Sequence, residues 1–409
     1  MNPVRNSAEN NNKIFHPVRN KFLSGANGVK LFYIVNAKIP TNRANGYQIF
    51  KMCEEFARVG LEVELWVPTR DSQFNQDPFE FYGSERNFKI RKIKSYDFTK
   101  YYKYLGKYSF WMQSIAYFFN LIFKKIDKDA VVYSRTPEII WLFSIRGHKT
   151  IFEIHRWVES KEGLFKFFIK KAKKVVITEE LKKRALKAGF SNDRILVSPD
   201  GVDLKIFNLN ISKFKARKKL NLPQDKIILG YTGCFETMGE KKGIEEILEA
   251  TKTLLGIYPD IFFLAVGGIE KEIEFYKNFS RELGIEDKIL LLEKVDRPCL
   301  AIYQKACDLL LMPFPFTKHF AYYMSPLKMF EYMASKRPII ASDLPSIREI
   351  LSENNAIIVK PDNPEDLANG IKKILKDKEL ADRVSHQAFK DVDNYTWEKR
   401  VESILDFIR

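Results

Sequence analysis

From Lys30 onward the chain alternates short apolar runs with longer stretches in which apolar residues recur every three or four positions. Runs of that length, each followed by an amphipathic segment, are the pattern of parallel strands joined by crossover helices. A first set covers residues 30–36, 61–67, 130–134, 150–154, 174–178 and 195–199. A second set covers residues 226–231, 261–266, 288–292, 308–312, 337–341 and 356–359. Between them the apolar runs pause, and Lys213, Lys215, Arg217, Lys218 and Lys219 crowd together with Asn208 and Asn210. The pattern predicts an α/β protein with two Rossmann-like, doubly wound domains, an N-terminal one over 29–205 and a C-terminal one over 206–393. Residues 394–409 read as a helix with Trp397, Val401, Ile404, Leu405 and Ile408 on one face, long enough to pack back towards the N-terminal domain.

The first 28 residues differ from all of this. They are polar and Asn-rich, and Pro3-Val4-Arg5-Asn6 is echoed as Pro17-Val18-Arg19-Asn20. A disordered leader is expected there. No apolar segment follows Arg5, Glu9, Lys13 and Arg19, so a secretory signal is not expected. A length of 409 residues suits two domains, and a composition 45% hydrophobic and 29% charged suits a folded soluble chain. Four scattered cysteines, without a CxxC pair, predict neither a disulfide framework nor a structural metal, and fit a cytoplasmic protein.

Net charge changes the picture more. An excess of 68 Lys and Arg over 52 Asp and Glu, +16 overall, favours anionic partners. The chain lacks a recognition helix, an RNP-like aromatic strand and an arginine-rich arm, so nucleic acid is not an expected partner. Between Lys100 and Lys125 lies an aromatic and basic stretch that includes Tyr104, Phe110, Trp111, Phe119 and Lys107. It is too interrupted to span a bilayer. It reads either as a surface helix on anionic lipid or as a core helix of the N-terminal domain.

Ligands of open parallel sheets bind beyond the carboxyl ends of the strands. After the first strand, Gly46 opens a helix expected from about Tyr47 to Val59, where a ligand could approach the backbone and meet free amides. A plain Asn-Gly turn is the competing reading. After the first strand of the second domain come Gly230-Tyr231-Thr232-Gly233-Cys234, then Lys241-Lys242-Gly243 before a helix from about Ile244 to Leu255. The spacing is not that of an ATPase P-loop, but a lysine at a helix start opposes the helix dipole and suits an anionic ligand. In Ser325-Pro326-Leu327-Lys328-Met329-Phe330-Glu331, Ser325 is an expected N-cap and Pro326 an expected first-turn residue. Lys328 and Glu331 stand three apart on one face, so one can meet a phosphate and the other a ribose diol; the alternative is a surface ion pair between them.

Taken in order, these motifs resemble the family-4 group of retaining glycosyltransferases with the GT-B fold, over roughly residues 29–409. Val197-Ser198-Pro199-Asp200-Gly201-Val202-Asp203 is similar to the family's hinge-side Pro-Asn-Gly-Val-Asp segment, with Asp200 in place of Asn. Lys328 through Pro338, with Ile347-Arg348-Glu349, resembles the donor-binding region, and Val266-Gly267-Gly268 its strand-end glycine turn. The resemblance implies two domains facing each other across a cleft, with a nucleotide diphosphate sugar bound by the C-terminal domain and a glycan or lipid-linked acceptor by the N-terminal one. It further implies donor contacts from Gly46, Gly233, Lys242, Ser325, Pro326, Leu327, Lys328 and Glu331. His155 is similar in position to the family's active-site histidine, with a satisfied structural histidine as the competing reading.

Two positions depart from the pattern. Tyr323 stands where the family has a first glutamate, and Cys234 where it has a phosphate arginine; Lys328 is the cation expected to replace the latter. The implied chemistry is front-side transfer with retention, catalysed by His155, Lys242 and Lys328, with no metal and no cofactor beyond the donor substrate. The implied setting is polysaccharide or glycolipid biosynthesis in the cytoplasm or at the inner face of the membrane. Asp127/Asp129 and Asp391/Asp393 match Asp-x-Asp, but neither pair follows a core strand, so no metal-bound donor is expected. A nucleotide-sugar-binding homologue without turnover, and a nucleotide-sugar epimerase of the same fold, are the alternatives.

Overall fold

A computed structural model of the chain describes residues 28–70, 74–237 and 239–409; the expected leader, Gly28 aside, lies outside the described residues. The first sheet holds β1 (Lys30–Ile34), β2 (Glu62–Pro68), β3 (Lys89–Ile93), β4 (Val131–Ser134), β5 (Lys149–Ile154), β6 (Lys173–Val176) and β7 (Ile195–Val197). Its order is β3-β2-β1-β4-β5-β6-β7, and every neighbouring pair is parallel. Next come β8 (Ile227–Thr232), a small antiparallel hairpin of β9 (Glu236–Thr237) and β10 (Glu240–Lys241), then β11 (Ile261–Gly268), β12 (Ile289–Glu293), β13 (Leu309–Met312), β14 (Ile339–Ser342) and β15 (Ile357–Val359). The second sheet runs β12-β11-β8-β13-β14-β15, again all parallel.

The architecture is two doubly wound α/β layers, as the alternation of apolar runs predicts. Strands covered by helices on both faces are mostly apolar, and β4 and β13 are buried at every residue. The edge strand β3 departs furthest from that pattern among the strands of the first sheet. Its Lys-Ile-Arg-Lys-Ile sequence leaves one residue, Ile93, fully buried, because it is an edge strand whose charges keep other strands from adding to it.

Each sheet has apolar cores on its two faces. In the second, Ile228, Met312 and Phe330 lie on one side and Leu229, Ile247 and Leu311 on the other. The C-terminal helix Trp397–Ile408 adds Trp397, Val401 and Ile404 to a core of the first sheet, beside Leu31 and Phe50. To get there, the chain runs alongside the segment after β7: Val202 N donates to Tyr395 O at 2.9 Å. A side chain at Gly201 would meet Trp397 N at 2.8 Å, so this position tolerates only hydrogen.

Candidate functional site

The carboxyl end of β5 carries two inward residues, Glu153 and His155, spaced so that both face the same side. Glu153 is buried, and it accepts from Tyr133 Oη at 2.7 Å, Arg400 Nη2 at 2.8 Å, Gln48 Nε2 at 3.0 Å and Arg135 Nη2 at 3.3 Å. Burial alone would push its carboxyl up, but the Arg135 and Arg400 guanidiniums hold it well below the usual carboxylate range. It is therefore an anion fixed by cations on β4's exit and on the C-terminal helix.

His155 Nε2 lies 2.6 Å from Glu153 Oε1. Burial and the Arg135 charge lower its pKa, so the imidazole is neutral at neutral pH. A neutral ring bonded to an ionised carboxylate carries its proton on Nε2, which leaves Nδ1 as the acceptor nitrogen. Gln48, on the helix Ala44–Arg58, joins this group to Asp200, which follows β7, by a short hydrogen bond to Oδ1.

Across the cleft, the turn after β8 and the helix Leu327–Ser335 form the second half of the site. The Lys328 side chain lies 3.1 Å from where a side chain on Gly233 would begin. Its side-chain nitrogen sits 3.5 Å from the centre of the Tyr231 ring and 5.3 Å from that of Phe314, and has no hydrogen-bond acceptor among the described residues. The residue is 8% exposed. Burial, then the nearby Lys242 charge, depresses its pKa well below that of an ordinary lysine. Burial lowers Lys242 as well. Cys234 is exposed and close enough to Lys242, Lys294 and Lys328 to interact electrostatically with all three.

Glu331 is buried and accepts from Arg297 Nη1 at 2.5 Å rather than pairing with Lys328. The Arg297 guanidinium lies 3.4 Å from the centre of the Tyr47 ring, which belongs to the first domain. Lys294 Nζ donates to Asn42 O at 2.5 Å in the same region. On the other flank, Thr178 Oγ1 donates to Tyr322 O at 2.8 Å, and the Glu349 carboxylate takes Glu179 N at 2.9 Å.

The structure thus brings Lys242, Lys328, Glu331 and Gly233 into one group, and His319 lies within electrostatic reach of both Lys242 and His155. Two expected roles are corrected. Ser325 does not cap its helix: Pro326 is the N-cap, with no side-chain bond, and Ser325 Oγ accepts from Asp200 N at 2.9 Å. Gly46 offers no free amide, because its N donates to Arg43 O at 3.1 Å in a helix that begins at Ala44. Its lack of a side chain serves packing, since a Cβ would stand 2.2 Å from Tyr82 Oη. Of the Asp-x-Asp matches, Asp127 pairs with Lys30 at 2.7 Å and Asp391 accepts from Asn355 Nδ2 at 2.8 Å.

Residues the sequence reading missed are Glu153, Arg135, Arg400, Arg297, Lys294 and His319. Glu153 did leave a signal, an acid inside the apolar run Thr150-Ile151-Phe152-Glu153-Ile154.

Residues 212–391 match the family described as glycosyl transferases group 1. An uncharacterized glycosyltransferase of Methanocaldococcus jannaschii is 25% identical over 211 residues, 50% of this chain and 51% of that protein. A D-inositol 3-phosphate glycosyltransferase of Stackebrandtia nassauensis is 23% identical over 222 residues, 52% of this chain and 48% of that protein. The chain spans about half the length of the curated relatives it matches. Anabaena Alr3699/HepE, solved in complex with UDP, superposes with a TM-score of 0.69 at 14% identity, over 92% of this chain and 99% of that one. The fold is that of GT-B glycosyltransferases.

Proposed function

From the match of residues 212–391 to the glycosyl transferases group 1 family, we propose that this protein is a retaining, metal-independent glycosyltransferase. Its donor is a nucleotide diphosphate sugar and its acceptor a glycan or lipid-linked saccharide, in cell-surface polysaccharide or glycolipid assembly. The observation that carries the reading is Lys328. A buried amine with no hydrogen-bond acceptor among the described residues, next to a second lysine, is costly to charge as it stands and is relieved by an incoming anion. The UDP bound to HepE supports a nucleoside diphosphate as that anion.

In this scheme the diphosphate lies over Gly233, against Lys242, Lys328 and the start of the helix Leu327–Ser335, whose first amides and dipole favour negative charge. Ser325, Pro326 and Leu327 shape that approach. Glu331, with Oε1 occupied by Arg297, keeps Oε2 for a ribose hydroxyl. The acceptor hydroxyl attacks the anomeric carbon on the face from which the diphosphate departs. As the carbon–oxygen bond to phosphate breaks, the acceptor proton passes to the departing phosphate oxygen, so no protein base is consumed. His155, neutral and oriented by Glu153, accepts a hydrogen bond from the sugar through Nδ1.

Stabilising charge that develops on the leaving group is the main catalytic contribution. Lys242→Ala is expected to lower turnover roughly a hundredfold. A panel of nucleotide sugars is read first by thermal shift and then by product mass with crude lipid and glycan acceptors. A donor that shifts melting but never yields product would make this a binding homologue, and release of an isomerised sugar without acceptor would make it an epimerase. Turnover unchanged in Lys242→Ala would defeat the scheme.

A further inference from the structure

The helix Tyr108–Ile122 buries Ser109, Gln113, Tyr117 and Leu121, a stripe that is half polar. Its apolar stripe faces out: Tyr108 is 77% exposed, Trp111 63%, Phe119 56% and Ile115 39%. A helix on a soluble domain normally turns its apolar face to the core. Here the polarity is inverted. The aromatic surface continues into the preceding turn, where Tyr104 is 83% exposed, so this is a contiguous patch rather than a scatter of single residues.

Charge says what covers it. No Asp or Glu occurs from residue 98 to residue 126, while Lys103, Lys107 and Lys125 are exposed around the aromatic rings. A second copy of this chain would set these lysines against their own kind. Aromatic side chains between an apolar and an aqueous phase, with lysines beside them, match the headgroup region of an anionic bilayer. No helix among the described residues is long and apolar enough to cross a membrane, so attachment through this face would be interfacial.

The patch also borders the candidate site. Asn36, just beyond β1, donates to Ser114 Oγ at 3.0 Å. The loop that leaves β5 at His155 lays Lys161 Nζ 5.7 Å above the Trp111 ring. We propose that this helix and the turn before it dock the protein on an anionic lipid surface, which places the acceptor wall of the cleft at the bilayer. Docking stands without the transferase reading; the consequence for a lipid-linked acceptor rests on it.

The test is flotation of the full chain with vesicles of phosphatidylcholine, alone or mixed with phosphatidylglycerol. Binding is expected only to the mixture, and to weaken as salt is raised. Trp111→Ser/Phe119→Ser, both at exposed positions, is expected to weaken partitioning at least roughly tenfold with melting temperature and UDP-induced thermal shift retained. Lys103→Gln/Lys107→Gln is expected to weaken it by a similar factor. Absence of flotation by the parent chain at low salt, or equal flotation of parent and both variants, overturns the proposal. So does a parent that sediments as a dimer which Trp111→Ser/Phe119→Ser dissociates, since a second copy then covers the face. A UDP shift that persists while flotation fails leaves the donor reading intact and separates the two.

Discussion

Binding of a nucleoside diphosphate is expected to draw a proton onto Lys328. In the free protein its side-chain nitrogen packs on the Tyr231 and Phe314 rings without a hydrogen-bond acceptor among the described residues, and Lys242 opposes its charge more than either Cys234 or Glu331 favours it. A cation–π contact contributes about 0.5–2 kcal/mol, whereas removing an ammonium from water costs several kcal/mol. The balance explains why its pKa falls well below that of an ordinary lysine. A phosphate oxygen at roughly 4 Å reverses this, contributing about 4 kcal/mol of attraction at an effective dielectric of about 20.

The complex therefore holds the proton more tightly than the free protein does. Between the two pKa values, binding takes up as much as one proton, and affinity falls as pH rises, by at most about tenfold per pH unit. Below the free-protein pKa the affinity is flat. The assay is calorimetric titration with UDP across a series of pH values between neutral and the ordinary lysine range, in two buffers of different ionisation enthalpy, where the slope of heat against buffer enthalpy counts protons. Lys328→Met is expected to abolish the uptake and to weaken UDP by about 2–5 kcal/mol, the scale for truncating one partner of a buried charge pair. Equal heats in the two buffers for the parent protein would refute the reasoning.

Three further outcomes follow from the packing. Gly46→Ala should destabilise the protein by about 1–3 kcal/mol, the usual cost of overpacking, and Tyr82→Phe should recover part of that loss in a chemical-denaturation cycle, because the nearest clash is with the hydroxyl while that with Thr41 Cγ2 at 2.6 Å remains. Glu153→Gln strips the anion that Arg135, Arg400 and His155 share, and should cost about 3–5 kcal/mol by the same measurement while raising the melting-point sensitivity to salt. Glu349, which caps the helix Glu179–Lys187, has its pKa raised to about 7 by burial. The folded state then binds more protons than the unfolded one between the ordinary glutamate value and about 7, so this group's contribution falls as pH rises through that window. Glu349→Gln should flatten the corresponding part of the melting-temperature profile, and an unchanged slope would rule the cap out as its source.

What could be read from the sequence depended on whether a residue's surroundings were local. Covered strands announce themselves because two helical layers demand apolar side chains on both faces, as in Leu309–Met312. The edge strand Lys89–Ile93 does not, since its solvent-facing charges resemble a loop. The lysine beside Gly243 and the Lys328–Glu331 spacing were legible because helix starts and helix faces are short-range features. Ser325 was misread for the same reason: its local context suits a cap, but the Asp200 amide, which claims its hydroxyl, is 125 positions away. Arg297 and Lys294 looked like ordinary surface charges in Glu293-Lys294-Val295-Asp296-Arg297, and only the fold places them against Tyr47 and Asn42. Arg400 did leave a trace, a cation set between Trp397 and Ile404 on the apolar face of its helix.

That arginine decides how the two halves are joined. Arg400 donates to Pro199 O at 2.8 Å and to Glu153 at 2.8 Å, so the end of β5, the segment after β7 and the C-terminal helix form one buried electrostatic unit. Breaking it would leave a buried charge without its partner, at a cost of about 3–5 kcal/mol. The contacts that reach the donor half are of another kind. Beside the Arg297–Tyr47 cation–π contact and the Glu349 carboxylate on Glu179 N, the bonds from Lys294 to Asn42, Thr178 to Tyr322, Lys318 to Glu159 and Asp200 to Ser325 are single polar bonds at the rim or through the backbone. Each contributes about 0.5–1.5 kcal/mol net, and the exposed ion pair less. In the proposed scheme, when the cleft opens to admit a donor the contacts between the halves yield and the Arg400 unit stays whole, so His155 and Glu153 hold their register while the other half exchanges one donor for the next.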